Sequence, residues 1–231
     1  MSSIAKASLC AVMATMAALP GSGGAADAAP PRIGIIGAGK IGGTLAELWV
    51  KAGHEVLISS RHPDQLQGLA RSLGPKARAG TPREAAIFGD VVLISVPYGA
   101  LPQVGKDLQN ELKGKVVLDT GNPYPERDGE MAVEARRKGT GVASAGFLPG
   151  VRLVRAFNAI SYRNLKSEAH RAGEPVAIPI AADDEQALAV AMRLVKDAGF
   201  EPVVVGPVDS DHAFRFSFIN AHKHQASGRV G

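Results

Sequence analysis

Apolar residues in this chain fall into short unbroken runs, separated by stretches with helical spacing. Ile33 to Ile36 is the first run, and it ends in the glycine-rich turn Gly37-Ala38-Gly39-Lys40-Ile41-Gly42-Gly43. Ile41, Leu45, Leu48, Trp49 and Ala52 then recur on one helical face, and Gly53 closes that helix. Val56 to Ile58 predicts a second strand. Pro63 opens a helix in which Leu66, Leu69 and Leu73 share a face before Gly74. Thr81-Pro82-Arg83-Glu84 has the form of a capping box. Val91 to Val96, Val116 to Asp119, Leu153 to Phe157 and Val203 to Val205 supply further strands. Leu101, Val104 and Leu108 mark one intervening helix, and Arg136-Arg137-Lys138 marks the end of another. Asp183 or Asp184 caps a helix that turns Leu188, Ala191, Leu194, Val195 and Ala198 inward. Continuous apolar runs suit strands buried on both faces. Their alternation with helices predicts an α/β fold, a Rossmann-type doubly wound parallel sheet with a short C-terminal α/β extension.

The ends of the chain read differently from its middle. One positive charge in Met1 to Lys6 precedes an apolar run, Ala7 to Leu19, that is too short to span a bilayer. Gly21 to Gly24 breaks the run, and Ala26-Asp27-Ala28 offers small residues at peptidase spacing. Residues 1–28 therefore form a signal-peptide-like leader cut after Ala28, and an over-long start preceding a cytosolic protein is the weaker reading. Residues 31–160 form the dinucleotide-binding domain, 161–207 a small extension of the fold, and 208–231 a divergent tail. Export predicts a periplasmic or secreted protein, and an uncut leader a cytoplasmic one. Cys10, the single cysteine, lies in the leader, so the mature chain excludes disulfides, cysteine-bound zinc and cysteine nucleophiles. No later segment predicts a membrane anchor.

Composition narrows the ligand class. Of 231 residues, 45% are hydrophobic and 21% charged, an ordinary globular balance. The net charge of +4 is scattered and aromatics are only 5%, which argues against nucleic acid and for a surface that favours anions. The strongest chemical signal is Gly37-x-Gly39-x-x-Gly42 between a strand and an amphipathic helix. Gly37 permits the tight turn, Gly39 the approach of a pyrophosphate, and Gly42 the packing of helix on sheet. Ala38, Lys40 and Ile41 fill the same phosphate turn, where the helix offers free N–H groups. The second strand ends in Ser59-Ser60-Arg61-His62, where an NAD site would place an acid. Hydroxyls and a guanidinium suit a 2′-phosphate instead, so NADP(H) is the expected cofactor. His54 and Glu55, before that strand, are read as surface residues. Asp119 and Asn122 lie at a strand C-terminus, where open α/β sheets bind ligands, although Asp119 equally reads as a loop-capping carboxylate. His170 and His212 read as surface residues. His222 and His224 read as part of a solvated tail, so no metal site is expected.

Several motifs together resemble a known family. Ile33-Gly34-Ile35-Ile36-Gly37-Ala38-Gly39, Gly53-His54-Glu55-Val56 with Ser60-Arg61, and Val92 to Pro97 are similar to the NADP oxidoreductases dependent on the deazaflavin coenzyme F420. Val117 to Tyr124, Val154-Arg155-Ala156-Phe157-Asn158, Ala181 to Asp184 and Ala198 to Pro207 continue the likeness. The same pattern resembles the oxidoreductase domain of the six-transmembrane metalloreductases. The resemblance implies that Ser60 and Arg61 take the 2′-phosphate, that Val96 and Pro97 line the cofactor, and that Asn158 sits by the nicotinamide. It implies hydride transfer to a flavin or deazaflavin acceptor, a small-molecule redox partner, with Asn158 beside the nicotinamide; Asp119, from its strand-end position, is the second candidate catalytic residue. After Pro207 the likeness stops.

Direct hydride transfer asks the protein mainly to position two planar groups. Ferric or cupric reduction through flavin is an alternative, as is a non-catalytic NADP(H)-sensing module. Hydroxyacid dehydrogenases and imine reductases carry a large helical domain behind the same half, and the 73 residues after Asn158 are too few for one. A homodimer is compatible with all of these readings.

Overall fold

In a computed structural model the described residues are 29–209. The leader and residues 210–231 of the tail, His212, His222 and His224 among them, lie outside them. The strands are β1 (Ile33–Ile36), β2 (Val56–Ser59), β3 (Ala77–Gly80), β4 (Val91–Ile94), β5 (Val116–Asp119), β6 (Arg152–Arg155), β7 (Ala177–Ala182) and β8 (Glu201–Gly206). Between them run α1 (Lys40–Lys51), α2 (Gln67–Leu73), α3 (Pro82–Phe88), α4 (Leu101–Asp107), α5 (Gln109–Leu112), α6 (Pro125–Asp128), α7 (Glu130–Lys138), α8 (Thr140–Phe147), α9 (Tyr162–Ser167) and α10 (Glu185–Asp197).

All eight strands join one sheet in the order β3-β2-β1-β4-β5-β6-β7-β8. The order reverses between β1 and β4, so a crevice opens above the C-terminal ends of those strands. Successive strand residues feed opposite layers. Ile33, Ile35, Leu93 and Leu118 pack beneath α1, α9 and α10, with Leu45, Trp49, Leu165 and Leu194. Ile36, Val92, Ile94 and Val117 pack beneath α3, α4 and α8, with Ala85, Leu101 and Ala143. That two-sided burial is why the strands read as unbroken apolar runs. The Thr81 capping box forms in full, and α7 ends in Arg136, Arg137 and Lys138 as the charge pattern predicts.

Several expectations change. The sheet is not parallel throughout, because β7 runs antiparallel to β6. The C-terminal extension of the fold forms as expected, with β7 and β8 continuing the main sheet. Sequence reading passes over β3 and β7. Strand β3 is a four-residue edge strand, Ala77-Arg78-Ala79-Gly80, with no apolar run to reveal it. Strand β7 contains Pro179, which ordinarily argues against a strand. Here β6 pairs only with Ala181 and Ala182, so Pro179 falls outside that ladder. The helix expected across Leu101 to Leu108 forms as α4, and Leu108, its C-cap, also starts the short α5. His54 is not a surface residue. It is fully buried, with Nδ1 2.9 Å from the Pro31 carbonyl and Nε2 2.9 Å from Asp197 Oδ2 on α10.

Candidate active site

The phosphate turn begins where β1 stops pairing. Gly37 adopts a φ of 100°, and a methyl built on it would sit 2.3 Å from the Ser95 carbonyl oxygen, so only glycine fits. A methyl on Gly42 would lie 2.1 Å from the Gly37 carbonyl oxygen, which lets α1 press against the turn. Gly39, by contrast, faces open space. It is the N-cap of α1, with no side-chain cap and no acidic residue in the first turn. Uncapped N–H groups and the positive helix end therefore face the crevice, ready for a pyrophosphate. The turn is tied to β2, because Gly37 and Ala38 both donate to the Ser59 carbonyl.

The end of β2 divides its polar residues between two tasks. Ser59 is fully buried, and its hydroxyl donates to the Ile35 carbonyl at 2.8 Å. It is therefore a strand-to-strand tie and not the phosphate ligand expected of it, since the pleat points it into the sheet. Ser60 follows at the strand end, where its hydroxyl accepts from the His62 amide at 3.0 Å. Arg61 is exposed and makes no ion pair with any described residue. Ser60 and Arg61 thus stay available at the end of β2, a pairing of hydroxyl and guanidinium that would suit a 2′-phosphate.

At the other end of the crevice lies a cleft of about 630 Å³. Gly39, Lys40 and Ile41 form its phosphate side, and Val96 and Pro97 one wall. Thr120 to Asn122 and Phe157 to Tyr162 form the facing wall, with Tyr124 and Arg127 at the rim. Val96 and Pro97 lie beyond β4, which ends when Ser95 N–H donates to the Ile36 carbonyl. Phe157 takes a left-handed φ of 58°. Its ring is held edge-on by Trp49 and Phe200, at 6.1 and 6.4 Å between centroids. The ring is thus sunk in the core while the backbone turns sharply, and Asn158 is delivered to the cleft. The Asn158 carbonyl accepts from the Asn122 side-chain amide at 2.7 Å, joining the two loops. Asn122 Oδ1 is buried and has no hydrogen-bond partner among the described residues. An orphaned acceptor in this wall suits a carboxamide N–H, the group a nicotinamide would bring.

Asp119 does not line the cleft. It is 1% exposed and pairs with Arg155, itself 2% exposed, beneath the loop. Its Oδ1 accepts from the Gly121 amide at 2.7 Å, while Arg155 donates to the Gly121 carbonyl at 2.6 Å. The carboxylate placed at the reacting centre by sequence is therefore a buried support for the Thr120–Asn122 wall. A second support sits outside the cleft. Asp128 accepts from the Gly99 and Tyr124 amides, each at 3.0 Å, and from Arg127, which also donates to the Asn122 carbonyl. The Arg127 guanidinium, helped by the two amides, holds the Asp128 carboxyl well down, at about 2.

Sequence reasoning missed Tyr124, Arg127 and Tyr162. Tyr162 begins α9 behind the N-cap Ser161, and its hydroxyl lies 3.5 Å from Lys40 Nζ and 3.2 Å from Arg163 Nε. The hydrogen bonds from Arg163 and then Lys40 lower its pKa below the ordinary phenol value. The signal that could have found it is position, four residues past Asn158 on a loop above the strand ends. Among the described residues no His, Cys, Asp or Glu cluster could hold a metal ion, and no helix is long and apolar enough to cross a membrane.

Comparison with known proteins bears directly on this geometry. Residues 32–123 match the family described as NADP oxidoreductase coenzyme F420-dependent. Over 183 residues the chain is 28% identical to Metalloreductase STEAP3 of Rattus norvegicus, a match covering 78% of this chain and 35% of that protein. The chain thus spans about a third of that relative's length. A protein of Arthrobacter sp. FB24, provisionally assigned as an F420-dependent NADP-reductase, superposes with a TM-score of 0.69 at 19% identity, covering 85% of this chain and 94% of that one. An imine reductase of Myxococcus stipitatus in complex with NADP+ gives a TM-score of 0.57 at 22% identity, covering 86% of this chain and 62% of that one. At these identities the structural likeness establishes the fold.

Proposed function

We propose that this chain, whose residues 32–123 match the F420-dependent NADP oxidoreductases, transfers a hydride between NADP(H) and a flat acceptor ring, flavin-like or deazaflavin. The observation that carries the reading is a cleft of about 630 Å³ bordered by the uncapped N-terminus of α1 and walled by Val96-Pro97 and Asn158. Exposed Arg61 follows the end of the neighbouring strand β2. That cleft lies within the size range of small-ligand sites, roughly 300–1,000 Å³. In this reading Ser60 and Arg61 take the 2′-phosphate and the α1 N-terminus takes the pyrophosphate. Asn122 and Asn158 would hold the nicotinamide. Bound NADPH supplies the hydride. The chain's own part is to bring the acceptor to a near-attack distance of about 3–3.5 Å and keep water out.

The test is loss of nicotinamide absorbance on mixing the protein with NADPH and a panel of FMN, riboflavin, a deazaflavin and ferric chelates. Turnover is expected with at least one ring acceptor. Asn158→Trp should suppress it while leaving NADPH affinity within a few-fold, because the phosphate anchors are remote. Stoichiometric NADPH binding without turnover against the whole panel would move the reading to a sensing module. The likeness to a metalloreductase favours a second reading, ferric or cupric reduction carried by flavin. It requires that chelate reduction depend on added flavin.

A further inference from the structure

The hydroxyl of Tyr162 is placed unusually for a residue at the mouth of a cleft. A phenol oxygen offers two lone pairs and one hydrogen. Lys40 Nζ and Arg163 Nε both donate to it, at 3.5 and 3.2 Å, and so occupy both lone pairs. The ammonium also lies 4.6 Å from the ring centroid, and the guanidinium 5.8 Å. Among the described residues no group accepts the phenol hydrogen, so it is left for whatever occupies the cleft. Neither cation has a carboxylate partner among those residues. Glu47, two turns along α1 from Lys40, is held by Lys51 and faces Lys166 of α9 instead. The charges around Tyr162, on its own helix and on α1 opposite, are therefore positive. They stabilise a phenolate over a phenol.

We propose that Tyr162 is a catalytic residue, the proton donor to the acceptor in the cleft, with Lys40 and Arg163 carrying the charge left behind. This rests on the hydride-transfer reading and deepens it by naming what the acceptor must contain. The acceptor is a conjugated system with an electrophilic ring atom and a basic nitrogen or oxygen at the end of the same conjugation. Hydride leaves the nicotinamide C4 with its electron pair and forms a new bond to the electrophilic atom. The acceptor's displaced π pair settles on the heteroatom, which takes the proton as the Tyr162 O–H bond breaks. NADP+ and the two-electron-reduced acceptor result, and solvent returns a proton to the phenolate. The lowered pKa of Tyr162 fits this task, since a donor works best when its pKa approaches the operating pH.

The test uses the whole chain, NADPH and FMN. A phenol donor is active only while protonated, so wild-type kcat should fall on the alkaline side, at a pH below the ordinary phenol value. Arg163→Gln removes one of the two charges and should move that limb to higher pH without weakening NADPH binding. Tyr162→Phe should abolish the limb and lower kcat about 100-fold or more, the usual share of a general acid. An ultraviolet titration of phenolate, read as the difference between wild type and Tyr162→Phe, follows the same ionisation without turnover. If wild type turns over FMN and Tyr162→Phe matches it at every pH, the donor is overturned and the hydride reading stands. If wild type turns over no acceptor, both fall. A Tyr162 that titrates at the ordinary phenol value overturns the donor alone.

Discussion

Replacing Asp119 with alanine separates a support from a catalytic group. In the folded chain its carboxylate and the Arg155 guanidinium are both almost completely buried, and both also hold Gly121. Removing the carboxylate leaves a guanidinium sealed from water with one remaining partner, and leaves the Gly121 amide without its acceptor. Breaking a buried pair from one side costs about 3–5 kcal/mol. That is a large part of the 5–15 kcal/mol typical of a domain. With a urea m-value of about 2 kcal/mol/M, the unfolding midpoint should fall by about 2 M. The double variant Asp119→Leu/Arg155→Met should recover more than half of the loss, because the uncompensated charge goes with its partner. Turnover should fall in Asp119→Ala as the Thr120–Asn122 wall loosens, and should return partly in the double variant. A single variant that keeps its stability within 1 kcal/mol while kcat collapses would refute the reasoning and return Asp119 to the reacting centre.

Arg61→Ala should weaken NADPH binding by about 1.5–3 kcal/mol, the range for charge-assisted hydrogen bonds, while NADH binding stays unchanged in calorimetry. Equal losses for both cofactors would defeat the 2′-phosphate assignment. Asp128 has its carboxyl held at about 2, below the ordinary 3.8. Its contribution to stability is complete above the ordinary value and is lost as pH falls through about 2. Asp128→Asn should therefore destabilise the chain at pH 7 and converge with wild type near pH 2 in acid-unfolding curves, and a constant offset across that range would contradict the pairing. Cleavage after Ala28 predicts a mature N-terminus at Ala29 in an export-competent host. Intact protein retained in the cytoplasm would instead support a misplaced start.

The glycine turn, the two-sided strands and the missing acid after β2 were legible in the sequence because each is a local requirement. Gly37 must be glycine for its own φ and its own neighbour, and a strand buried on both faces must be apolar throughout. Residues 33–43 thus specified the glycine turn, and Ser60-Arg61 the expectation of NADP(H), by local sequence alone. Polar residues were different, because their roles depend on partners far along the chain. Ser59 looked like its neighbour Ser60, and only the pleat turned it to the Ile35 carbonyl. Asp119 and Arg155 are 36 residues apart, and their union beneath the cleft wall required β5 and β6 to lie side by side. His54 was hidden by α10, which arrives 143 residues later. Tyr162 meets Lys40 across 122 residues, through the packing of α9 on α1. Pattern can show which residues must be buried or must bend. Which charges and hydroxyls face one another is settled by the arrangement of the sheet and its two helical layers, because hydrogen bonds act over about 3 Å.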